Sequence, residues 1–200
     1  LLEEDQISLA LIPPSLLAIL PYQQLPHLRT LLVGGEASSK DLQERWRKGR
    51  TLINAYGPTE NTVMATSMVM EHNTPHNNIG YPLDGVLCLV LDDRLRQLPN
   101  YAIGEFCIGG KQLSAGYINN PEQNQEHFIN HPIWGRLYRS GDKVMRTDDG
   151  SFIFLGRIDS QVKIRGFRVE LSEIIRNIES IPGIHQAHVI MEGSNHQARL

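Results

Sequence analysis

Three clusters of polar residues in this sequence have types and spacing suited to chemistry. The first is Asn54-Ala55-Tyr56-Gly57-Pro58-Thr59-Glu60, where an apolar run ends in a Gly-Pro turn with a hydroxyl and a carboxylate side by side. An aromatic face suits a base, backbone amides and the Thr59 hydroxyl suit phosphates, and the Glu60 carboxylate suits Mg²⁺. The groups fit a nucleotide, although the residues alone also allow an ordinary loop with a solvated Glu60. The second cluster is Tyr138-Arg139-Ser140-Gly141-Asp142, with Arg157 and Asp159 further on in Gly156-Arg157-Ile158-Asp159. A carboxylate can accept both hydroxyl protons of a ribose diol, and a nearby arginine can bind phosphate or ribose oxygens. The competing reading is a surface ion pair. The third runs from Gln161 to Glu170, where Lys163, Arg165 and Arg168 are spaced along a strand beside Gly166. Such a strand presents either a solvated basic face or a contact for an anionic ligand or partner.

The elements that must hold these clusters can be read from periodicity. Leu9 to Ile12 predicts a short strand, Pro14 to Leu20 one or two helical turns, and Leu28 to Val33 a buried strand entering Gly34-Gly35. Ser38 and Ser39 offer N-caps to a helix carrying Leu42 and Trp46 and ended by Gly49, and Thr51 to Asn54 follows as the next strand. Alternating strands and helices imply a mixed α/β fold with a parallel sheet, whose carboxyl edge would carry Tyr56 to Asn61. From about Ile79 the texture changes to short strands at Val86–Leu91, Gly104–Ile108, Leu137–Val144 and Phe152–Leu155. Turns at Asp92-Asp93, Pro99-Asn100 and Asp148-Asp149-Gly150 separate them, as in a small antiparallel sheet or barrel. After Asp159 we expect a strand over 161–169, an amphipathic helix on Leu171, Ile174, Ile175 and Ile178, a stop at Ile181-Pro182-Gly183, and a strand from His185 to Met191.

Composition narrows the function. An apolar fraction of 40% with 20% charge describes a globular chain with a core. A net charge of -3 and scattered basic residues argue against nucleic acid as a partner. The most apolar stretch, Leu9 to Leu20, is too short for a bilayer and contains Pro13 and Pro14, so no membrane is expected. Cys88 and Cys107 lie in apolar strand-like runs and read as buried thiols, which fits a cytoplasmic location. His72 with His76, and His127 with His131, have a metal-compatible spacing without a supporting Glu or Cys, so surface histidines are expected. Gly34-Gly35 lacks the rest of a dinucleotide fingerprint. Leu1 in place of Met, and a final apolar segment that stops short, suggest cuts at both ends.

The clusters also occur in the order and at the approximate spacing of motifs in the adenylate-forming, AMP-binding enzyme superfamily. NAYGPTE and GRIDSQVKIRGFRVE resemble the non-ribosomal peptide synthetase adenylation domains more than the acyl-CoA synthetase or luciferase branches. Between them, Gly104 to Gly110, Ala115-Gly116-Tyr117, Pro121-Glu122 and Phe128 resemble a further family block. The resemblance implies the distal portion of a large subdomain over 1–158, a parallel sheet with helices plus a small antiparallel β region. A hinge and the truncated start of a small α+β C-terminal subdomain would occupy 159–200. It implies that Asn54, Tyr56 and Gly57 lie against adenine, that Thr59 approaches the phosphates, and that Glu60 helps place Mg²⁺. It further implies that Asp142 holds the ribose hydroxyls, Arg157 binds nearby, Asp159 is the hinge, and Gly166 faces a pantetheine tunnel. The catalytic set would be Thr59, Glu60 and Arg157.

The implied activity has two steps: ATP-dependent conversion of an amino acid to aminoacyl-AMP, then transfer to the phosphopantetheine thiol of a peptidyl carrier protein beside other synthetase domains. Ala115, Ser172 and Ile175 depart from the commoner Arg, Gly and Glu of the pattern, and none is expected to bind nucleotide. The family's Gly-rich phosphate loop and catalytic-lysine segment are not in the sequence, so the 200 residues alone should activate substrate poorly. An acyl-CoA synthetase and a non-catalytic nucleotide- or carrier-binding module are the alternatives. Alignment with the family lines the side-chain pocket with Leu11, Leu32, Gly34, Ala55, Val63 and Met64. Every one is apolar, and a polar substrate would leave a buried group unpaired, so a hydrophobic amino acid is expected, with leucine favoured.

Overall fold

The computed structural model describes residues 2–159, 161–164 and 167–190. It begins with the expected strand and helix alternation: β1 (Leu9–Leu11), α1 (Pro14–Ile19), β2 (Thr30–Gly34), α2 (Lys40–Trp46) and β3 (Thr51–Tyr56). The three strands pair in parallel, with Leu11 beside Leu32, Leu32 beside Ile53, and Gly34 beside Ala55. Pro14 sits in the first turn of α1, where its missing N–H has no helical partner to lose. Ser39 caps α2 by accepting from the Leu42 N–H at 3.3 Å. The neighbouring Ser38 is buried, and its hydroxyl takes a bond from Gln43 Nε2 at 2.6 Å instead.

Side-chain alternation makes the faces of these parallel strands unlike. Leu31, Val33 and Leu52 point to one side and form a core with Leu17, Leu28 and Trp46. Leu9, Leu11 and Leu32 share the other side, where Leu9 is 61% and Leu11 56% exposed.

An antiparallel run continues the same sheet. It comprises β4 (Thr66–Val69), β5 (Asn78–Pro82), β6 (Val86–Leu91), β7 (Ile103–Gly110), β8 (Phe128–His131), β9 (Gly135–Arg146) and β10 (Phe152–Arg157), with helix α3 (Pro121–His127) before β8. The order across the sheet is β1-β2-β3-β4-β5-β10-β9-β7-β6, with β8 against β9. Phe106, Phe152, Ile108 and Val144 fill its core together with Tyr56 from the end of β3. The parallel and antiparallel regions are therefore one sheet, joined through β4 and β5. Neither of those strands, nor α3 and β8, is anticipated from the sequence.

The segment after Asp159 corrects two expectations. Residues 161–169 do not form one strand but a hairpin, β11 (Gln161–Ile164) and β12 (Phe167–Glu170), paired Val162 to Val169 and Ile164 to Phe167. A long isolated strand has no ladder partner, whereas folding it on itself pairs the backbone, and Gly166 between the halves is the sequence signal for that. The helix follows as α4 (Leu171–Glu179), with Ile174, Ile175 and Ile178 half-buried. The expected strand at His185 is also corrected: 185–190 are irregular, with no pairing strand among the described residues, and Met191 lies outside them.

Candidate functional site

The hairpin of β9 and β10 brings Asp142 and Arg157 together as direct cross-strand partners. Arg157 Nη1 donates to Asp142 Oδ1 at 2.7 Å, and the two side chains are only 13% and 5% exposed. This is a buried pair, not the surface ion pair that the sequence also allowed. Asp142 Oδ2 accepts from the Tyr56 hydroxyl, so the first and second clusters meet at one carboxylate. Burial, and after it the Asp142 charge, raise the pKa of Tyr56 well above its ordinary value, which keeps the phenol protonated as the donor. The same guanidinium continues to the next residues. Nε donates to Asp159 Oδ1 at 2.7 Å, and Nη2 to Asp159 Oδ2 and to Gln161 Oε1, the last at 2.6 Å. Burial works against the Arg157 charge, but bonds to Asp159 and Asp142 outweigh it and hold the pKa above the usual arginine value.

The backbone around Asp142 is shaped to allow this. The β7–β9 register shifts between Glu105 and Cys107, a bulge that re-aims the strand. Glu105 holds the shifted segment: Oε1 accepts from the Gly141 N–H at 3.1 Å, and Oε2 accepts from Arg139 Nε and Nη2 at 2.9 and 2.7 Å. Ser140 donates its hydroxyl to the Phe106 carbonyl at 2.6 Å and accepts from the Asp142 N–H at 3.1 Å. Gly141 has φ +72, and a Cβ there would stand 2.5 Å from Asp159 Oδ2 and 2.7 Å from Arg157 Nη2. An ionised carboxylate offers roughly four acceptor sites. Asp142 therefore keeps acceptor capacity for hydroxyl groups while bound to Arg157 and Tyr56.

On the other side lies the turn after β3. Gly57 has no room for a side chain, because a Cβ would meet the Val63 carbonyl oxygen at 2.6 Å and Met64 Cα at 2.7 Å. The chain doubles back so that the Ala65 N–H donates to the Tyr56 carbonyl at 2.7 Å. Thr59 to Asn61 form a single 3-10 turn, with Thr59 exposed and Glu60 only 8% exposed. The Glu60 carboxylate accepts from the Tyr117 hydroxyl. Thr62 adopts φ +68, an uncommon conformation for a β-branched residue, and Asn61 has a buried Oδ1 with no partner among the described residues. Strain and an orphaned acceptor in adjacent residues are features that collect at functional loops.

Other residues singled out from the sequence fall as follows. Asn54 is buried and donates Nδ2 to the Asn78 carbonyl at 2.8 Å. Tyr56 does not offer an open ring face: it packs against Phe106 and Phe154 at centroid distances of 5.5 and 6.4 Å, because its strand end inserts into the antiparallel core. Leu11, Leu32, Gly34 and Ala55 lie in neighbouring rows of β1, β2 and β3, while Val63 and Met64 lie in the loop that covers Gly57. Val63 is 62% exposed. Lys163 and Arg168 occupy paired ladder positions in the final hairpin, and Arg165 and Gly166 lie outside the described residues. His131 is buried, contrary to expectation, because its Nδ1 accepts from the Ile133 and Trp134 N–H groups and its Nε2 reaches the Leu95 carbonyl. Sequence reasoning gave no role to Glu105, Ser140 or Tyr117, although all three lie inside the motif blocks.

No group of three or more His, Cys, Asp or Glu able to hold a metal occurs among the described residues. Mg²⁺ is commonly held by one or two carboxylates plus substrate phosphates, so a single hard oxygen donor such as Glu60 beside a phosphate-compatible turn suits it.

Over residues 2–118 the sequence matches the AMP-binding enzyme family. The chain belongs to that family. Within it, the relatives are synthetases that build peptides: a linear gramicidin synthase of Brevibacillus parabrevis is 46% identical over 94% of this chain. Phosphinothricin tripeptide synthetase PhsC of Streptomyces viridochromogenes is 41% identical over 100% of it. The fold is shared with holo-PA1221, a peptide-synthetase protein containing adenylation and PCP domains bound to a vinylsulfonamide inhibitor, at a TM-score of 0.87 and 29% identity over 96% of this chain. This sequence is an adenylation-domain sequence of the peptide-synthetase kind. It spans 4% and 19% of the two curated relatives and 36% of the solved chain. Among the described residues no helix is long and apolar enough to cross a membrane.

Proposed function

We propose that this chain supplies the adenine, ribose and some of the side-chain surface of a domain that activates a hydrophobic amino acid, leucine favoured, as its adenylate. The observation that carries the reading is the buried Asp142, which ties the Tyr56 strand end to Arg157 in one polar cluster. In this reading residues 1–158 belong to the large subdomain, and Asp159 opens the small one. Asn54, Tyr56 and Gly57 border the base, Asp142 accepts the ribose hydroxyls, and Arg157 keeps that carboxylate ionised and oriented. Thr59, exposed at the start of its turn, donates to phosphate oxygens, and Glu60 contributes an oxygen to Mg²⁺. When bound, Mg²⁺ offsets phosphate charge.

A substrate carboxylate oxygen attacks the α-phosphorus, and the bond to pyrophosphate breaks. In the second step a phosphopantetheine thiol, carried by a peptidyl carrier protein of neighbouring synthetase domains, attacks the acyl carbon and AMP leaves. The role of these residues is largely alignment, which in well-oriented systems is worth up to about 7–11 kcal/mol. The similar peptide synthetases and the carrier-containing structure support the partner assignment. The two unpaired cysteines support a reducing cytoplasm.

ATP–pyrophosphate exchange on the longest natural polypeptide carrying this sequence tests the reading. Leucine should drive exchange above other hydrophobic amino acids. Exchange with fatty acids alone would assign an acyl-CoA synthetase, and no exchange with any acid would leave a binding module.

A further inference from the structure

The Glu60 carboxylate is gripped from a distant stretch of the chain. Tyr117 lies beyond β7, and its hydroxyl donates to Glu60 Oε1. The segment leading to it is fastened to the same turn: the Ser114 N–H donates to the Glu60 carbonyl at 2.8 Å, and Thr62 Oγ1 donates to the Gln112 carbonyl at 2.8 Å. Arg136 holds the segment from behind through the Ser114 and Ala115 carbonyls, at 2.6 and 2.9 Å.

Tyr117 itself is placed by one side chain of α3. Asn124 Oδ1 accepts from the Tyr117 N–H at 2.6 Å, and Asn124 Nδ2 donates to the Tyr117 carbonyl at 2.8 Å. The ring stands edge-on to Phe128 with centroids 5.6 Å apart. Main chain, ring and hydroxyl of Tyr117 are thus all fixed. Burial, followed by the bond to Glu60, raises the pKa of the phenol, so it stays protonated and donates across the neutral range.

A carboxylate with one oxygen bonded to a fixed phenol loses freedom about its final torsion, which presets the direction in which it meets a cation. We propose that Tyr117 is a positioning residue that orients the Glu60 carboxylate toward Mg²⁺·ATP. This rests on the Glu60 role proposed above. The ring of Tyr117 would touch neither nucleotide nor amino acid; it acts only through Glu60.

The test is binding of Mn²⁺, as a paramagnetic stand-in for Mg²⁺, with a non-hydrolysable ATP analogue, followed by electron paramagnetic resonance on the same polypeptide. Tyr117→Phe should weaken Mn²⁺ about tenfold, as expected for losing one bond to a charged group, while the KM for the amino acid in exchange assays changes less than about twofold. In a Glu60→Gln background Tyr117→Phe should add nothing, because the two residues act as one unit. Unchanged Mn²⁺ affinity, or the same loss in the Glu60→Gln background, overturns the inference. If Tyr117→Phe does not fold, Asn124→Ala keeps the phenol but frees its main chain and should weaken Mn²⁺ as well; an unaltered affinity overturns it equally. Wild-type protein without amino-acid-dependent exchange would remove the functional reading and this inference together. Exchange in wild type with unaltered Mn²⁺ binding in the variants removes the inference alone.

Discussion

The ribose-side cluster and the row of residues assigned to the amino-acid side chain differ in how complete they are. Asp142, Arg157, Tyr56, Ser140 and Glu105 bond to one another and are mostly buried within this chain. Leu11 and Val63, on the other side, stand 56% and 62% exposed. The difference follows from the forces involved. Buried polar groups must be paired, and a hairpin that sets Arg157 opposite Asp142 pairs them locally. Apolar groups gain only by covering one another, which takes a second surface over β1 to β3.

Removing a member of the self-contained cluster should have the largest effect. Asp142→Ala leaves the Arg157 charge and the Tyr56 hydroxyl buried without their shared acceptor, and should destabilise the fold by about 3–5 kcal/mol in urea denaturation. A wild-type midpoint would mean that the cluster is held by something other than this carboxylate. The two faces of the parallel strands come next. Leu31 is fully buried against α1 and α2, so Leu31→Ala should cost about 2–5 kcal/mol. Leu11→Ala should stay within about 0.5 kcal/mol in the same titration and instead alter the preference among amino acids in exchange assays. Equal destabilisation by both would abolish the contrast.

The smallest effect concerns the cysteines. Burial raises the Cys88 and Cys107 thiols from an ordinary 9.0 to about 12, a difference of about 3 units, so alkylation in the folded protein should run roughly a thousandfold slower than for a free thiol. Above pH 9 the unfolded state gives up these protons first. Their contribution to stability is therefore level below pH 9 and falls between pH 9 and about 12, measurable as a drop in Tm.

The same contrast separates the features that were legible in the sequence from those that were not. Val86–Leu91 falls where its apolar run and following turn put it, and Asp142 and Arg157 were marked by residue type. What linked them was not marked. The pairing of Arg157 with Asp142 depends on a bulge between Phe154 and Arg157, and bulges leave little trace in a pattern of alternation. β5 reads as a loop because it carries Asn78, Gly80 and Pro82, yet it forms since Asn78 Oδ1 accepts the Gly80 N–H at 2.7 Å and neighbours on both sides pair it. Asn120 before Pro121 is a proper N-cap signature that identifies α3 in retrospect. Tyr117 could be found only by asking what fixes Glu60, because a tyrosine fifty-seven residues away carries no periodic signal.

Arg157 grips residues on both sides of the point where the large sheet ends, Asp142 within it and Asp159 and Gln161 beyond it. A guanidinium in that place works as a clutch. The chain cannot swivel at 159 while the fork is fully engaged, so the resistance to turning is set by ion pairing more than by backbone torsion. Salt concentration then becomes a control on mechanical freedom at that joint: screening loosens the half-exposed Asp159 side before it reaches the buried Asp142 side, and the release has a direction.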